Sequence, residues 1–323
     1  MEPPIWAWIA LIAAVPVLTA VDLLVFARGR HEISAKVAAL WTLAWVTLGL
    51  SFALVLGATQ GSRAAGEYVA GYLVEWSLSI DNLFVFAVIF GYFAVPKDLQ
   101  PRVLMYGVLG ALVFRGIFIA IGAAALGAAH WVIYVFGAFL IFTSYRLATS
   151  SDENVDPSRN KLLLLVRRFV PSTNDYRGTR TFVRERGRWL ATPIFAVLLV
   201  VASTDVVFAI DSIPAIFAIT DEAFIVLAAN IFAVMGLRAA YFMIVGALDR
   251  FEYLHYGLAA VLAVVGLKML TSEFYDPPVW MTLGVVVVIL GIAILASLWA
   301  TRKREKEGEE PGVPQPPVRS PAP

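Results

Sequence analysis

The sequence predicts an all-α, polytopic membrane protein, and three observations carry that prediction. Sixty per cent of the 323 residues are hydrophobic, 15 per cent are charged, and the mean hydropathy is +0.78. An ordinary soluble domain has roughly 45–50 and 25 per cent. The charges are clumped: residues 149–190 and 301–323 hold 23 of the 49 charged side chains. The apolar residues elsewhere fall into runs near the ~20 residues that cross a bilayer. This excludes a soluble globular enzyme and a disordered chain. A net charge of +1 offers no field for phosphate backbones, so nucleic acid is not an expected partner. With no cysteine, disulfides, zinc–thiolate sites and thiol chemistry are excluded.

The runs predict nine spans, near 5–27, 37–57, 68–94, 104–126, 130–148, 190–219, 223–247, 254–271 and 279–300. Only Met1–Pro4 precede the first, with no basic stretch, so it is expected to be a mature span and not a cleaved leader. Spans 1–5 fill residues 1–148 and spans 6–9 fill 190–300. Between them, 149–189 is a polar and then basic loop. Its segment Lys161–Val170, an apolar block flanked by Lys and Arg, suits either a helix on the inner leaflet or a solvated loop helix. The tail 301–323 ends in the Pro-rich stretch Pro311–Pro323 and is expected to be disordered.

Lys and Arg divide 21 to 2 between alternate sets of loops, with Arg115 and Arg238 inside spans. Cytoplasmic loops carry the excess of Lys and Arg. The expected topology therefore has the N-terminus outside and the C-terminus in the cytoplasm, in a plasma (inner) membrane. An odd number of spans satisfies this.

Span 3 contains EWSLSIDNLFVFA and span 6 contains DVVFAIDSIPAIFA. Aligned on Asp81 and Asp211, both have an acid six residues earlier, Glu75 and Asp205, and a small polar residue next, Asn82 and Ser212. Arg115 in span 4 aligns with Arg238 in span 7. Residues 68–148 and 190–271 thus read as two copies of a three-helix unit. Three is odd, so the copies run in opposite senses, which is the inverted-repeat layout of secondary transporters.

Each intramembrane charge costs about 2.5–3.5 kcal/mol at mid-bilayer on insertion scales. Glu75, Asp81, Asp205, Asp211, Arg115 and Arg238 must therefore pair, protonate, bind a cation or line a wet cavity. Four acids against two arginines leave two surplus negative charges, which suits a divalent cation. Six steps of ~100° put Glu75 and Asp81 about 120° apart on a smooth helix, whereas seven align Glu75 with Asn82 and Asp205 with Ser212. A broken helix would bring both acids of a span to one site. Spans of about 27 and 30 residues, longer than the ~20 required, and Pro214, which frees the Ile210 carbonyl, favour such breaks. Candidate ligands are Glu75, Asp81, Asn82, Asp205, Asp211 and Ser212. Supporting groups are Ser77, Ser79, Thr204, the Ile210 carbonyl and the two arginines. The three histidines, His31, His130 and His255, lie at loop edges. An all-oxygen set suits Mn²⁺, Mg²⁺ or Ca²⁺ and disfavours Zn²⁺ and Cu⁺. The competing reading is a structural ion-pair network of the same acids and arginines.

Asp22 in span 1 reads as an interfacial cap or ion-pair partner. His31-Glu32 begins no H-E-x-x-H, since position 35 is Ala, and there is no Walker loop or Ser-His-Asp arrangement, so no enzyme is expected. No resident cofactor is called for; a cation enters as cargo. The small-residue run Gly122–Ala128 permits close helix packing within one chain or between copies in a homo-oligomer.

These strings resemble the TerC family of integral membrane proteins, named for tellurium resistance and including alkaline-induced manganese exporters. The likeness covers nearly the whole chain: HEIS with Trp41, EWSLSIDNLFVF at 75–86, RGRWLATP at 186–193, STDVVFAIDSIPAIFAIT at 203–220 and NIFAVMGLRAAYF at 230–242. The resemblance implies a polytopic helical protein in manganese export and metal-ion homeostasis, with Glu75, Asp81, Asn82, Asp205, Asp211 and Ser212 as its site. One departure is Ala202, where many members have Glu, which bears on ligand count and selectivity. Three functions follow as expectations: Mn²⁺ export by alternating access with proton coupling; a non-transporting membrane factor for metal stress or metal loading, docked through its loop and tail; and a tellurium-resistance component. Surplus carboxylates repel oxyanions, which counts against the last.

Overall fold

The computed structural model describes residues 3–27, 35–129, 131–149, 172–173, 175–185, 187–245, 253–274 and 277–307. Within them the side chains of 24–27, 35, 80, 81, 84, 211, 244, 254, 255, 279 and 303–307 lie outside the description, as do His31, His130, residues 150–171 and the Pro-rich tail. Leucine, alanine and β-branched runs bounded by Pro, Gly and charge produce helices α1 (Ile5–Ala27), α2 (Ala35–Gln60), α3 (Ser62–Tyr92), α4 (Gln100–Ala128), α5 (Val132–Thr149), α6 (Pro193–Phe217), α7 (Ala223–Ile244), α8 (Leu254–Leu270) and α9 (Val279–Glu307). Two strands, β1 (Phe182–Glu185) and β2 (Arg188–Ala191), precede α6 as an antiparallel hairpin.

Seven of the described helices are long and apolar enough to cross a membrane: α1, α2, α4, α5, α6, α7 and α9. Helix α3 carries Arg63, Glu67, Glu75 and Asp81 among its 31 residues, and α8 has only 17. The bilayer is the solvent this surface requires. Ile9 and Ile12 of α1, Leu54 of α2 and Ile292, Leu295 and Trp299 of α9 are each at least 58% exposed. Exposed apolar side chains on this scale face lipid and not water.

Helix α7 is the inner member of the bundle, nearly all of it buried. It packs on α2, α3 and α4. Ala228, Ala229, Ala233, Gly236, Ala239 and Ala240 let neighbours approach: a Cβ at Gly236 would lie 2.9 Å from the Trp76 ring. Helices α5 and α8 cross at a glycine pair, where a Cβ on Gly266 would meet the Gly137 carbonyl at 2.9 Å. Ser144 adds an interhelical bond, donating to the Ala259 carbonyl at 2.7 Å. Gly122, in the small-residue run, is used within the chain, against the Phe217 ring.

One expectation is corrected. The long spans are not broken: α3 runs continuously over 62–92 and α6 over 193–217. Pro214 falls in the last turn of α6, where its own carbonyl still accepts from Ala218 at 3.0 Å, so the helix simply ends there. The segment before α6, expected as a polar and then basic loop, carries the hairpin, while Lys161–Val170 lies outside the described residues. A two-residue connection closes β1 on β2, with Gly187 at φ +78, a left-handed geometry that Gly tolerates without strain. Nearby, Tyr176 donates to the Phe93 carbonyl at 2.8 Å and ties the loop to the α3–α4 turn. Burial pushes that hydroxyl up to about 12, so it remains a donor at neutral pH.

Candidate cation site

Three helices converge on one buried polar layer. On α4, Arg115 stands one turn from Ala111 and one turn from Ile119. On α6, Asp205 stands one turn from Val201 and one from Ala209. On α3, Glu75, Ser79 and Asn82 follow each other at helical spacing, so they share a face. Arg115 is 1% exposed, Glu75 and Ser79 0%, Asp205 and Asn82 2%.

The Arg115 guanidinium is the hub. Its Nη1 pairs with Glu75 Oε1. Its Nη2 reaches Asp205 Oδ1 at 3.3 Å and its Nε reaches Asp205 Oδ2 at 3.4 Å, a fork-on-fork arrangement. Asn82, oriented as this network dictates, accepts from Nη2 at 3.2 Å and donates to the Leu78 carbonyl at 3.3 Å. Ser79 donates to Glu75 Oε1 at 3.4 Å. The second Glu75 oxygen, Oε2, is buried with no hydrogen-bond partner among the described residues, and so is Ser212 Oγ. Two carboxylates thus share one cation, and the layer is one negative charge in excess before Asp81 and Asp211 are counted.

Apolar plugs close the layer on both sides. Ile119, Ala209, Ile213, Ile216, Phe217 and Val226 form a cluster beyond one face. Beyond the other, Leu83, Phe86, Val108, Ala111, Val201 and Val234 belong to a second cluster that reaches the α3–α4 turn. Water-excluded charges interact strongly and must stay paired, since breaking a buried pair costs about 3–5 kcal/mol.

Arg238 has a described ion-pair partner outside this layer. It pairs with Asp22 of α1, Nη2 to Oδ2 at 2.5 Å, and donates to the Asp22 carbonyl at 2.9 Å. Trp41 Nε1 also donates to Asp22 Oδ1, at 3.0 Å. Asp22 is therefore an ion-pair partner, as its position suggested.

Other expected groups are placed elsewhere. Thr204 spends its hydroxyl on the Val200 and Val201 carbonyls, at 3.0 and 2.9 Å. Ser77 likewise donates to Leu73 at 2.7 Å. Ile210 is 41% exposed, on the outer side of α6. Asp81 and Asp211 lie on the unbroken helices, but their side chains are outside the described part. Among the described residues no three His, Asp or Glu side chains gather as a ready metal site.

The sequence reading passed over three features. A cavity of about 1090 Å³ opens at the end of the bundle remote from the hairpin, where α3 and α7 begin and α6 and α8 end. Phe217 lines it and also belongs to the apolar plug, so the plug separates the cavity from the polar layer. Glu67, 6% exposed, faces the cavity, held by Arg63 at 2.8 Å and Thr220 at 2.6 Å. Its Arg63–Glu67 spacing of four was visible, but the run was read as starting at 68. Asn230 of α7 is fully buried, and an amide inside an apolar run was the signal for it.

A bundle of apolar helices around buried, sealed charges defines a polytopic helical membrane protein with an ionisable core. The description "Integral membrane protein TerC family" matches residues 60–305, and the chain belongs to that family. Alx of Salmonella typhi, described as a proposed membrane-bound redox modulator, is 42% identical over 94% of this chain and 97% of its own length. The membrane protein STKORF319 of Myxococcus xanthus is 44% identical over 93% and 94%. The chloroplast thylakoid membrane protein TERC of Arabidopsis thaliana is 40% identical over 78% of this chain and 66% of its own. No solved structure matches the chain.

Proposed function

We propose that this protein is a secondary transporter exporting a divalent cation, Mn²⁺, by alternating access, with protons as the counter-ion. The observation that carries the reading is the charge imbalance at Arg115. Glu75 and Asp205 are both committed to one guanidinium, Glu75 Oε2 has no partner among the described residues, and the layer is sealed by apolar plugs on both sides. Excess carboxylate in a dry layer calls for a cation, and carboxylates also release and take protons. A sealed site between a cavity and a plug fits the occluded stage of alternating access. The nine-span topology with an outside N-terminus and cytoplasmic C-terminus, the inverted repeat and a plasma-membrane location belong to the same reading. In it the cavity at Glu67 is the outer vestibule.

The Alx name favours a second reading, a membrane factor acting on redox state. With no cysteine in the chain, thiol exchange by its own side chains is excluded. Regulation of a redox-active metal would reconcile the two readings.

Proteoliposomes test the proposal. Mn²⁺ flux is measured against Ca²⁺, Mg²⁺ and Zn²⁺, with and without a pH gradient, for wild type, Glu75→Gln, Asp205→Asn and Asp81→Asn plus Asp211→Asn. Wild-type flux that the acid variants lose is the expected result. Absence of flux of any ion from folded protein would transfer support to the membrane-factor reading.

A further inference from the structure

Asn230 is 0% exposed, and neither its amide oxygen nor its amide nitrogen has a hydrogen-bond partner among the described residues. A buried polar group left unmade costs about 1–3 kcal/mol. The neighbouring buried positions of α7, Val226, Ala229, Ala233 and Val234, are alanine or valine, and such a residue would fill position 230 without that cost. An asparagine kept for structure alone would use its amide.

Its place in the bundle says what it faces. Val226, one turn before Asn230, packs in the cluster with Ile119 of α4 and Ala209, Ile213 and Phe217 of α6. Val234, one turn after it, packs in the cluster with Ala111 of α4 and Val201 of α6. Arg115 lies between Ile119 and Ala111, and Asp205 lies between Ala209 and Val201. Asn230 therefore falls on α7 between these two clusters, as Arg115 does on α4 and Asp205 does on α6. On α3, Gly71 lies close to Ile216 of α6 and Ala229 of α7, and Glu75 follows one turn further toward the layer. Ser212 sits between Ala209 and Ile216 on α6.

We propose that Asn230 is a further ligand of the transported cation, giving its amide oxygen beside Glu75 Oε2 and Ser212 Oγ. The inference rests on the cation-transport reading and adds α7 to the site. The three groups share one property: each is a buried oxygen with no described partner. Carboxylate, hydroxyl and amide oxygens are the ligands of hard divalent cations, and no soft donor is among them. Arg115 holds Glu75 by Oε1 and leaves Oε2 for the ion.

The test uses the full chain in lipid nanodiscs with Mn²⁺ as the probe. Affinity is read from the EPR signal of free Mn²⁺, and metal stabilisation from the Mn²⁺-induced shift in Tm. Asn230→Leu is expected to melt at or above the wild-type Tm without metal, bind Mn²⁺ at least tenfold more weakly and lose the metal-induced shift. Asn230→Asp, which keeps an oxygen at the same reach, is expected to retain binding. If Asn230→Leu does not fold, Asn230→Ser, which shortens the reach, is expected to show the same weakening. Wild type that binds while the folded Leu or Ser variant binds within twofold of it overturns the inference alone. Wild type that binds no Mn²⁺ overturns the transport reading and the inference together.

Discussion

Two buried arginines sit at aligned positions in the two halves of the chain, and their surroundings differ. Arg115 is clasped by two carboxylates and an amide, with a carboxylate oxygen left over. Arg238 has one carboxylate, Asp22, whose other oxygen is taken by Trp41. The first site is negative in sum among the described residues and is buried between three helices. Among the described residues the second pairs one arginine with one carboxylate, and it fastens the least embedded helix, α1, to the innermost one, α7. A buried ion pair whose charges cancel is structural glue. One whose charges do not cancel asks for another ion. The same residue type thus meets two different surroundings in one bundle.

The contrast can be broken most sharply at Arg115. Replacing it by Leu leaves Glu75 and Asp205 buried without a counter-charge and is expected to cost about 3–5 kcal/mol and all transport. Thermal unfolding in detergent and proteoliposome flux read both, and a stable Arg115→Leu protein that still transports would sink the assignment. Asp22→Asn is next. It is expected to cost about 3 kcal/mol by exposing Arg238 to an apolar surround. Transport per folded molecule should stay near wild type, and the double variant Asp22→Leu with Arg238→Leu should recover most of the stability. Flux that falls in step with Asp22→Asn at full folding would erase the distinction between the two sites.

Glu67 sharpens the comparison from a third position. Thr220→Val removes a hydrogen bond to a charged group and should destabilise by about 1.5–3 kcal/mol. It leaves Arg63 paired with Glu67, so flux should change less than twofold. The smallest effect is expected at Tyr176→Phe, about 1 kcal/mol, read as a small drop in Tm with transport unchanged. A larger effect on flux than on Tm would show that the hairpin loop governs access to the site.

Much of the fold was legible because its causes are local. Apolar runs bounded by Pro, Gly and charge set α1–α9 close to the expected boundaries, as at Ile5–Ala27 and Leu254–Leu270. The shared face of Glu75 and Asn82 followed from the helical period and is seen at Arg115. The β1–β2 hairpin was not anticipated. Its FVRE and RWLA strands are short, and their charge read as loop. The expected helix breaks gave too much weight to span length and to Pro214, which a last turn accommodates.

What the sequence determined alone was the membrane class, the helix positions and the list of charges that cannot be left bare. Those depend on hydropathy and on the 3.6-residue period, both properties of one segment. Tertiary structure decided which acid meets which arginine. It also decided that Phe217 both lines a cavity and packs in an apolar cluster, and that Asn230 is buried with its amide unpartnered among the described residues. These depend on the relative depth and rotation of neighbouring helices. A shift of one turn, about 5.4 Å, or of one residue's ~100° would pair different side chains without changing any segment's own pattern.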